Sequence, residues 1–159
     1  MVSKVEHKHR TGCPIACILD VIGDHWTLLI VRNLMFTGLH EYKDMLNAEE
    51  KISSSILTSR LKKLEEGGLI AFAPHPQSQR RKLYYLTAKG KDLVHAMVSM
   101  ILWANKHLDQ HLAIPDYKKY QLENDPEQFI RDTLETLELW ERENLPVRTV
   151  FEPEMISPL

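Results

Sequence analysis

Cysteine is scarce in this chain. Its 159 residues hold two, Cys13 and Cys17, one helical turn apart and too few for a disulfide framework. No apolar run approaches the roughly 18–20 residues that cross a bilayer. The start, MVSKVEHKHRTG, is polar and lacks the apolar centre of a signal peptide, so a cytoplasmic protein without membrane contact is expected. There is no phosphate-cradling glycine loop, no G-x-S-x-G nucleophile elbow and no H-E-x-x-H zinc motif. Neither an enzyme nor a bound cofactor is therefore expected. No internal repeat or low-complexity stretch occurs. What remains is the composition of a folded soluble protein, 43% hydrophobic and 26% charged. Its length fits one domain, or one domain with an appendage.

The net charge of −2 hides an asymmetry. Between Ser53 and Lys91 eight Lys and Arg stand against two acids, Glu65 and Glu66, a local +6. From Ala113 to Leu159 five basic residues stand against eleven acidic ones, a local −6. A polyanion responds to the local field, and the basic stretch is where it would dock.

The stretch KISSSILTSRLKKLEEGGLI, residues 51–70, carries the clearest functional pattern. Read as a helix starting at Ser53, it puts Leu57, Leu61 and Leu64 on one narrow apolar stripe. Ser55, Thr58, Ser59 and Lys62 fall opposite, with Arg60 and Lys63 on the flanks. Small side chains let a helix backbone sit deep in a DNA major groove. Hydroxyls can then reach bases or phosphates, and the cations neutralise phosphate. Gly67-Gly68 ends the helix. Upstream, Pro14 opens a helix with Ile15, Ile18, Leu19 and Ile22 at helical spacing. Asp24 is a good N-cap for a second helix with Trp26, Leu29, Ile30 and Leu34 as its apolar positions. A short third helix is expected from His40 to Asn47, with Tyr42, Met45 and Leu46 inward. Two short helices joined by a tight turn, the second with a groove-sized polar face, make a helix-turn-helix plan.

After Gly68, LIAFA and RRKLYYLT alternate as strands around a Pro-rich turn, PHPQSQ. Arg80, Arg81 and Lys82 cluster just past that turn, as in a wing that touches phosphate or minor groove. Thr87 then caps a long helix expected from Ala88 to about Leu112. Its apolar residues, among them Leu93, Val94, Met97, Val98, Ile101, Leu102, Trp103 and Leu108, cover more than one core face needs, which suggests a second protomer. In the acidic tail, Asp125, Pro126 and Gln128 predict a helix over about 126–143, with Ile130, Leu134, Leu137 and Trp140 on one side. Pro146, Pro153 and Pro158 punctuate an extended end. The expected organisation is an arm (1–12), a mainly α domain with a β-hairpin wing (13–112) and a one-helix acidic extension (113–159).

CPIACILDVIGDHWTLLIVRNL, then GLHEY, then ISSSILTSRLKKLEEGGLI, then a basic hairpin ending YYLTAKG, resembles the HxlR-type winged helix-turn-helix regulators of bacteria over residues 13–112. The resemblance implies a homodimeric transcription factor on double-stranded DNA, paired through the N-terminal segment and the helix after the wing. By position it puts Ser53, Ser54, Ser55, Thr58, Ser59, Arg60 and Lys62 on the recognition helix and Arg80 and Arg81 on the wing. Lys63 and Lys82 join these as phosphate-neutralising candidates. Three departures stand out. The wing reads QRRKLYY, with Leu83 where the family often has an acid. The turn before the recognition helix reads AEEKIS without the usual glycine, and its acids lie near the expected phosphates. The tail from Ala113 lies beyond the family's usual extent.

Cys13, just before Pro14, sits at an expected helix N-terminus, where the helix dipole and nearby Lys8 and Arg10 favour thiolate. Some members of the resembling family use a cysteine there to sense oxidants or electrophiles; the alternative is a packing role only. Cys17 is expected in the core. His7, His9, Cys13 and Cys17 form H-x-H-x3-C-x3-C, which matches no strong zinc signature, and no metal is expected. The resulting reading is a regulator that binds an inverted repeat as a homodimer and responds to an oxidant or small-molecule signal. The alternative is a winged-helix module that uses the same surface for a protein partner. The tail's −6 against the module's +6 suggests that it either shields the DNA-binding surface or packs on the dimer helix.

Overall fold

The computed structural model describes residues 12–108 and 112–146. α1 (Pro14–Ile22) begins with proline in its first turn, where the fixed φ suits the helix and the missing N–H has no partner to lose. Its apolar residues divide between two environments. Ile22 is buried with Ile18 and Val21 packed beside it, while Ile15 and Leu19 stand outside.

Asp24 caps the turn that leads into the next helix, accepting the backbone N–H groups of Trp26 and Thr27 at 3.0 Å each, but the helix itself begins later than expected, with Trp26 rather than Asp24 at its N-cap position. α2 (Thr27–Arg32) continues into a wider π turn over Asn33–Thr37. Gly38, at φ +67°, ends it in the left-handed conformation that glycine adopts without penalty.

The third helix is shorter than expected. α3 spans Tyr42–Leu46, because His40 and Glu41 are pulled into extended pairing with the hairpin. The Tyr84 N–H donates to the His40 carbonyl at 2.8 Å, and Glu41 bridges Leu83. α4 (Ser54–Glu66) follows with Ser53 as N-cap, and Leu57, Leu61 and Leu64 are its buried residues. β1 (Ile70–His75) and β2 (Ser78–Leu86) form one antiparallel hairpin with Ile70 opposite Leu86 and Pro74 opposite Lys82. The hairpin is tighter than PHPQSQ suggests: Pro74 and His75 belong to β1, so Arg80, Arg81 and Lys82 lie within β2. Leu83, Tyr84, Tyr85 and Leu86 are all buried. Since successive strand residues point to opposite faces, both faces are covered there.

The single long helix expected from Ala88 divides in two. α5 (Ala88–Lys91) is capped by Thr87, whose Oγ1 accepts the Gly90 N–H, and α6 runs Val94–His107. Gly90 passes so close to the residue before β1 that a Cβ there would lie 2.0 Å from the Leu69 carbonyl oxygen. Helix through to Leu112 is not found: α6 stops at His107, and residues 109–111 lie outside the described residues.

Among the described residues the tail holds two helices where one was expected. α8 (Pro126–Asn144) has its predicted start, with the Asp125 carboxylate accepting the Gln128 N–H at 2.9 Å. α7 (Asp116–Asn124) precedes it and buries only Leu122, with Tyr117 and Tyr120 exposed. Such a helix has no apolar stripe to announce it. Leu122, Phe129, Ile130 and Leu137 join the same core as Ile30, Leu34 and Leu57. The tail is therefore packed onto the winged helix and shares its core. Among the described residues no single helix is long and apolar enough to cross a membrane.

Candidate nucleic-acid interface

The outer face of α4 is as small and hydroxylic as its sequence predicts. Ser54, Ser55, Thr58, Ser59 and Lys62 are exposed, Lys62 with 76% of its side chain free and only a loose 3.8 Å approach to Glu66. Ser53 contributes chiefly as a cap: its Oγ accepts the Ile56 N–H at 3.4 Å and lies 3.3 Å from Ser55 Oγ.

Two elements grip the flanks of this helix. On one side the Tyr42 hydroxyl donates to the Ser54 carbonyl at 3.0 Å and lies 3.1 Å from Thr58 Oγ1. Tyr42, partly buried against the core as its inward position predicts, thus also anchors α4. On the other side Asp24 Oδ1 accepts Arg60 Nε–H at 2.8 Å, and Lys63 Nζ lies 3.6 Å from Oδ2. Burial alone would raise the Asp24 carboxyl. Hydrogen bonds from Thr27, Arg60 and the Trp26 amide outweigh it and hold the group well below the usual carboxylate range. It is ionised throughout the physiological range.

The wing cations are likewise not equivalent. Arg81 is held by Glu41 in a bidentate pair at 2.6 and 2.7 Å. Lys82 Nζ sits 3.7 Å from the centre of the Phe72 ring, and Arg80 is exposed. Of the six basic candidates, Arg60, Lys63 and Arg81 are engaged with carboxylates; Lys62, Arg80 and Lys82 are held by none closely. Sequence composition counts all six alike because the partners, Asp24 and Glu41, lie 36 and 40 residues away.

One of the two acids of the AEEKIS turn, Glu50, finds a structural account. Glu50 pairs with Arg32 of α2 at 2.7 Å, fixing the turn to the helix beneath it. Lys51 occupies the left-handed region at φ +57°, which glycine adopts more readily than lysine.

Behind the wing, His40 is 6% exposed and its Nδ1 lies 2.9 Å from the Tyr84 carbonyl, which can only accept, so Nδ1 carries the proton. Its ring stacks on Trp140 of α8 at 3.4 Å and 10°. Lys91 and Glu141 pair at 2.8 Å nearby. The tail is thereby coupled to the base of the wing, a link no local sequence signal announces.

Cys13 is exposed at the N-cap of α1, and Cys17 is half-buried rather than in the core. No cluster of three or more metal-ligating side chains occurs among the described residues, and His7 and His9, with Lys8 and Arg10, lie outside them.

A helix-turn-helix whose second helix shows a polar groove-sized face, followed by a basic hairpin, defines a winged helix-turn-helix protein. The chain belongs to the HxlR-like helix-turn-helix family, whose model matches residues 21–112. Cys13 precedes that match and the α7–α8 extension follows it. An HTH-type transcriptional regulator of Synechocystis, sll1512, is 32% identical over 98 residues, covering 62% of this chain and 72% of the relative. The crystal structure of PA1607, described as a transcription-factor candidate, superposes with a TM-score of 0.58 at 32% identity, covering 66% of this chain and 75% of that one. The redox regulator HypR in its oxidised form superposes with a TM-score of 0.53 at 26% identity, covering 62% of this chain and all of that one. The chain is a transcriptional regulator of the winged-helix type.

Proposed function

We propose that the protein regulates transcription by binding a specific inverted repeat in double-stranded DNA as a homodimer. The observation that carries this reading is the division of α4. Its leucine stripe is buried, and its serine, threonine and lysine face is left exposed among the described residues. A helix so divided fits a major groove, with the wing on adjacent backbone through Arg80 and Lys82. Dimerisation is supported by apolar side chains that the fold leaves outside, Ile15 and Leu19 on α1 and Met100 and Trp103 on α6. Two copies joined there would carry two recognition helices to half-sites about one helical turn apart.

Cys13 adds a signal to this reading. It is exposed at the start of α1, beside the proposed dimer face, and the chain is similar to a redox regulator. Oxidation of its thiol would act on the arrangement of the two copies.

The test is selection from random duplexes with the purified protein at two salt concentrations, with and without reductant. An enriched palindrome whose binding weakens steeply with salt is the expected result, and a reductant effect abolished by Cys13→Ser assigns the sensor. Failure to enrich any sequence in either redox state would instead favour a winged-helix module that binds a protein partner.

A further inference from the structure

Asp24 does more than cap the turn into α2. A cap needs one acceptor oxygen for one or two amides, and serine or asparagine supplies it as well as aspartate. Here Oδ1 serves the Trp26 and Thr27 amides and Arg60 Nε–H together. Oδ2 accepts the Thr27 hydroxyl and faces Lys63. The carboxylate is largely buried, and Thr27 beneath it is fully so. Arg60 and Lys63 stand three apart on α4, one turn, so both can reach back to the same carboxylate. Lys62, the residue between them on the outward face, escapes it.

We propose that Asp24 is a specificity-determining positioning residue of the recognition helix: it withholds Arg60 and Lys63 from phosphate and holds the Arg60 guanidinium in one orientation. This inference rests on the DNA-binding reading above. Non-specific affinity grows with the cations that displace counterions from phosphate. An arginine and a lysine sharing one partly buried carboxylate offer that flank a net single charge. Arg60 held through Nε keeps its terminal nitrogens, and Nη1 lies 3.5 Å from Ser59 Oγ on the outward face. A guanidinium already fixed beside the groove-facing hydroxyls loses little freedom when it meets a base edge. Weakening contact with any phosphate while keeping contact with the right base raises the ratio of specific to random binding.

The full chain, wild type and Asp24→Asn, would be titrated onto the selected duplex and onto random-sequence duplex across a range of salt, with thermal unfolding in parallel. Asparagine keeps an acceptor for the Trp26 and Thr27 amides, so folding is expected to survive. On random duplex the variant should bind about tenfold tighter, with a salt slope steeper by about one. The selected duplex should gain less, so selectivity falls. Arg60→Gln leaves the cap untouched and gives an independent reading. It should weaken the selected duplex about tenfold more than the random one. Two results overturn the inference: Asp24→Asn with the wild-type slope and selectivity, or Arg60→Gln weakening both duplexes alike with a slope lower by about one. Wild-type protein that selects no duplex fails the DNA reading and this inference with it. A selective wild type matched by Asp24→Asn fails the inference alone.

Discussion

Lys51 shows how a single residue can hold a conformation its side chain disfavours. A non-glycine residue in the left-handed region costs roughly 1–2 kcal/mol, part of which glycine returns through its greater freedom in the unfolded chain. Lys51 sits there at φ +57°, exposed, in the turn that leads to Ser53. Lys51→Gly is therefore expected to stabilise the protein by about 1 kcal/mol. Urea unfolding would show it as a raised midpoint at unchanged slope, and a lowered midpoint would show that the lysine makes a compensating contact. The missing glycine was legible in AEEKIS. The paired role of Glu50 was not, because it depends on Arg32 arriving beneath the turn through tertiary packing. Asp24 is similar: its cap is written in its neighbours, whereas its hold on Arg60 and Lys63 depends on how α4 crosses α2.

At the scale of elements, legibility follows locality. α4 and α8 were readable because a cap, a helical apolar period and a stop coincide within one stretch of sequence. α7 was not, since a helix that buries one leucine has no period to detect. The extended pairing of His40 and Glu41 was not either, since it depends on a strand more than forty residues later. His40 also ties α8 to the wing, and that contact should depend on pH. Burial lowers its pKa from the ordinary 6.5 despite opposing contributions from the Tyr84 carbonyl and Glu141, so the fold prefers the neutral ring. A lowered histidine pKa contributes stability above the unfolded value that is lost as pH falls through the folded one. Thermal stability should therefore decline below about pH 6.5, and His40→Gln should flatten that part of the profile. A variant with the wild-type decline would assign it to other groups. Trp140→Ala should cost about 2 kcal/mol, from lost burial and the lost ring stack. Loss of stability below 0.5 kcal/mol in chemical unfolding would show that α8 is held without it.

For the whole molecule, the question is what covers the apolar surface that one copy leaves in water. Leu19 on α1 is 58% exposed and Trp103 on α6 is 59% exposed. Among the described residues the tail does not cover Trp103, although α8 is packed on the winged helix and shares its core. Because these side chains lie outside the core of one copy, a charge placed on either should leave folding nearly intact. Leu19→Glu and Trp103→Glu are therefore expected to keep a melting temperature close to wild type at high dilution. If two copies pair through these side chains, as proposed, both variants should run as monomer in sedimentation velocity where the wild type runs as dimer. If the two recognition helices bind as a linked pair, losing the second half-site should weaken binding to the inverted repeat by about a hundredfold. Binding to an isolated half-site should change little. A Trp103→Glu protein that still sediments as a dimer would place the interface elsewhere, and one that unfolds would show that α6 supports the core on its outer face as well. The two substitutions lie on different helices, so a shared shift to monomer with an intact fold would assign both to one interface.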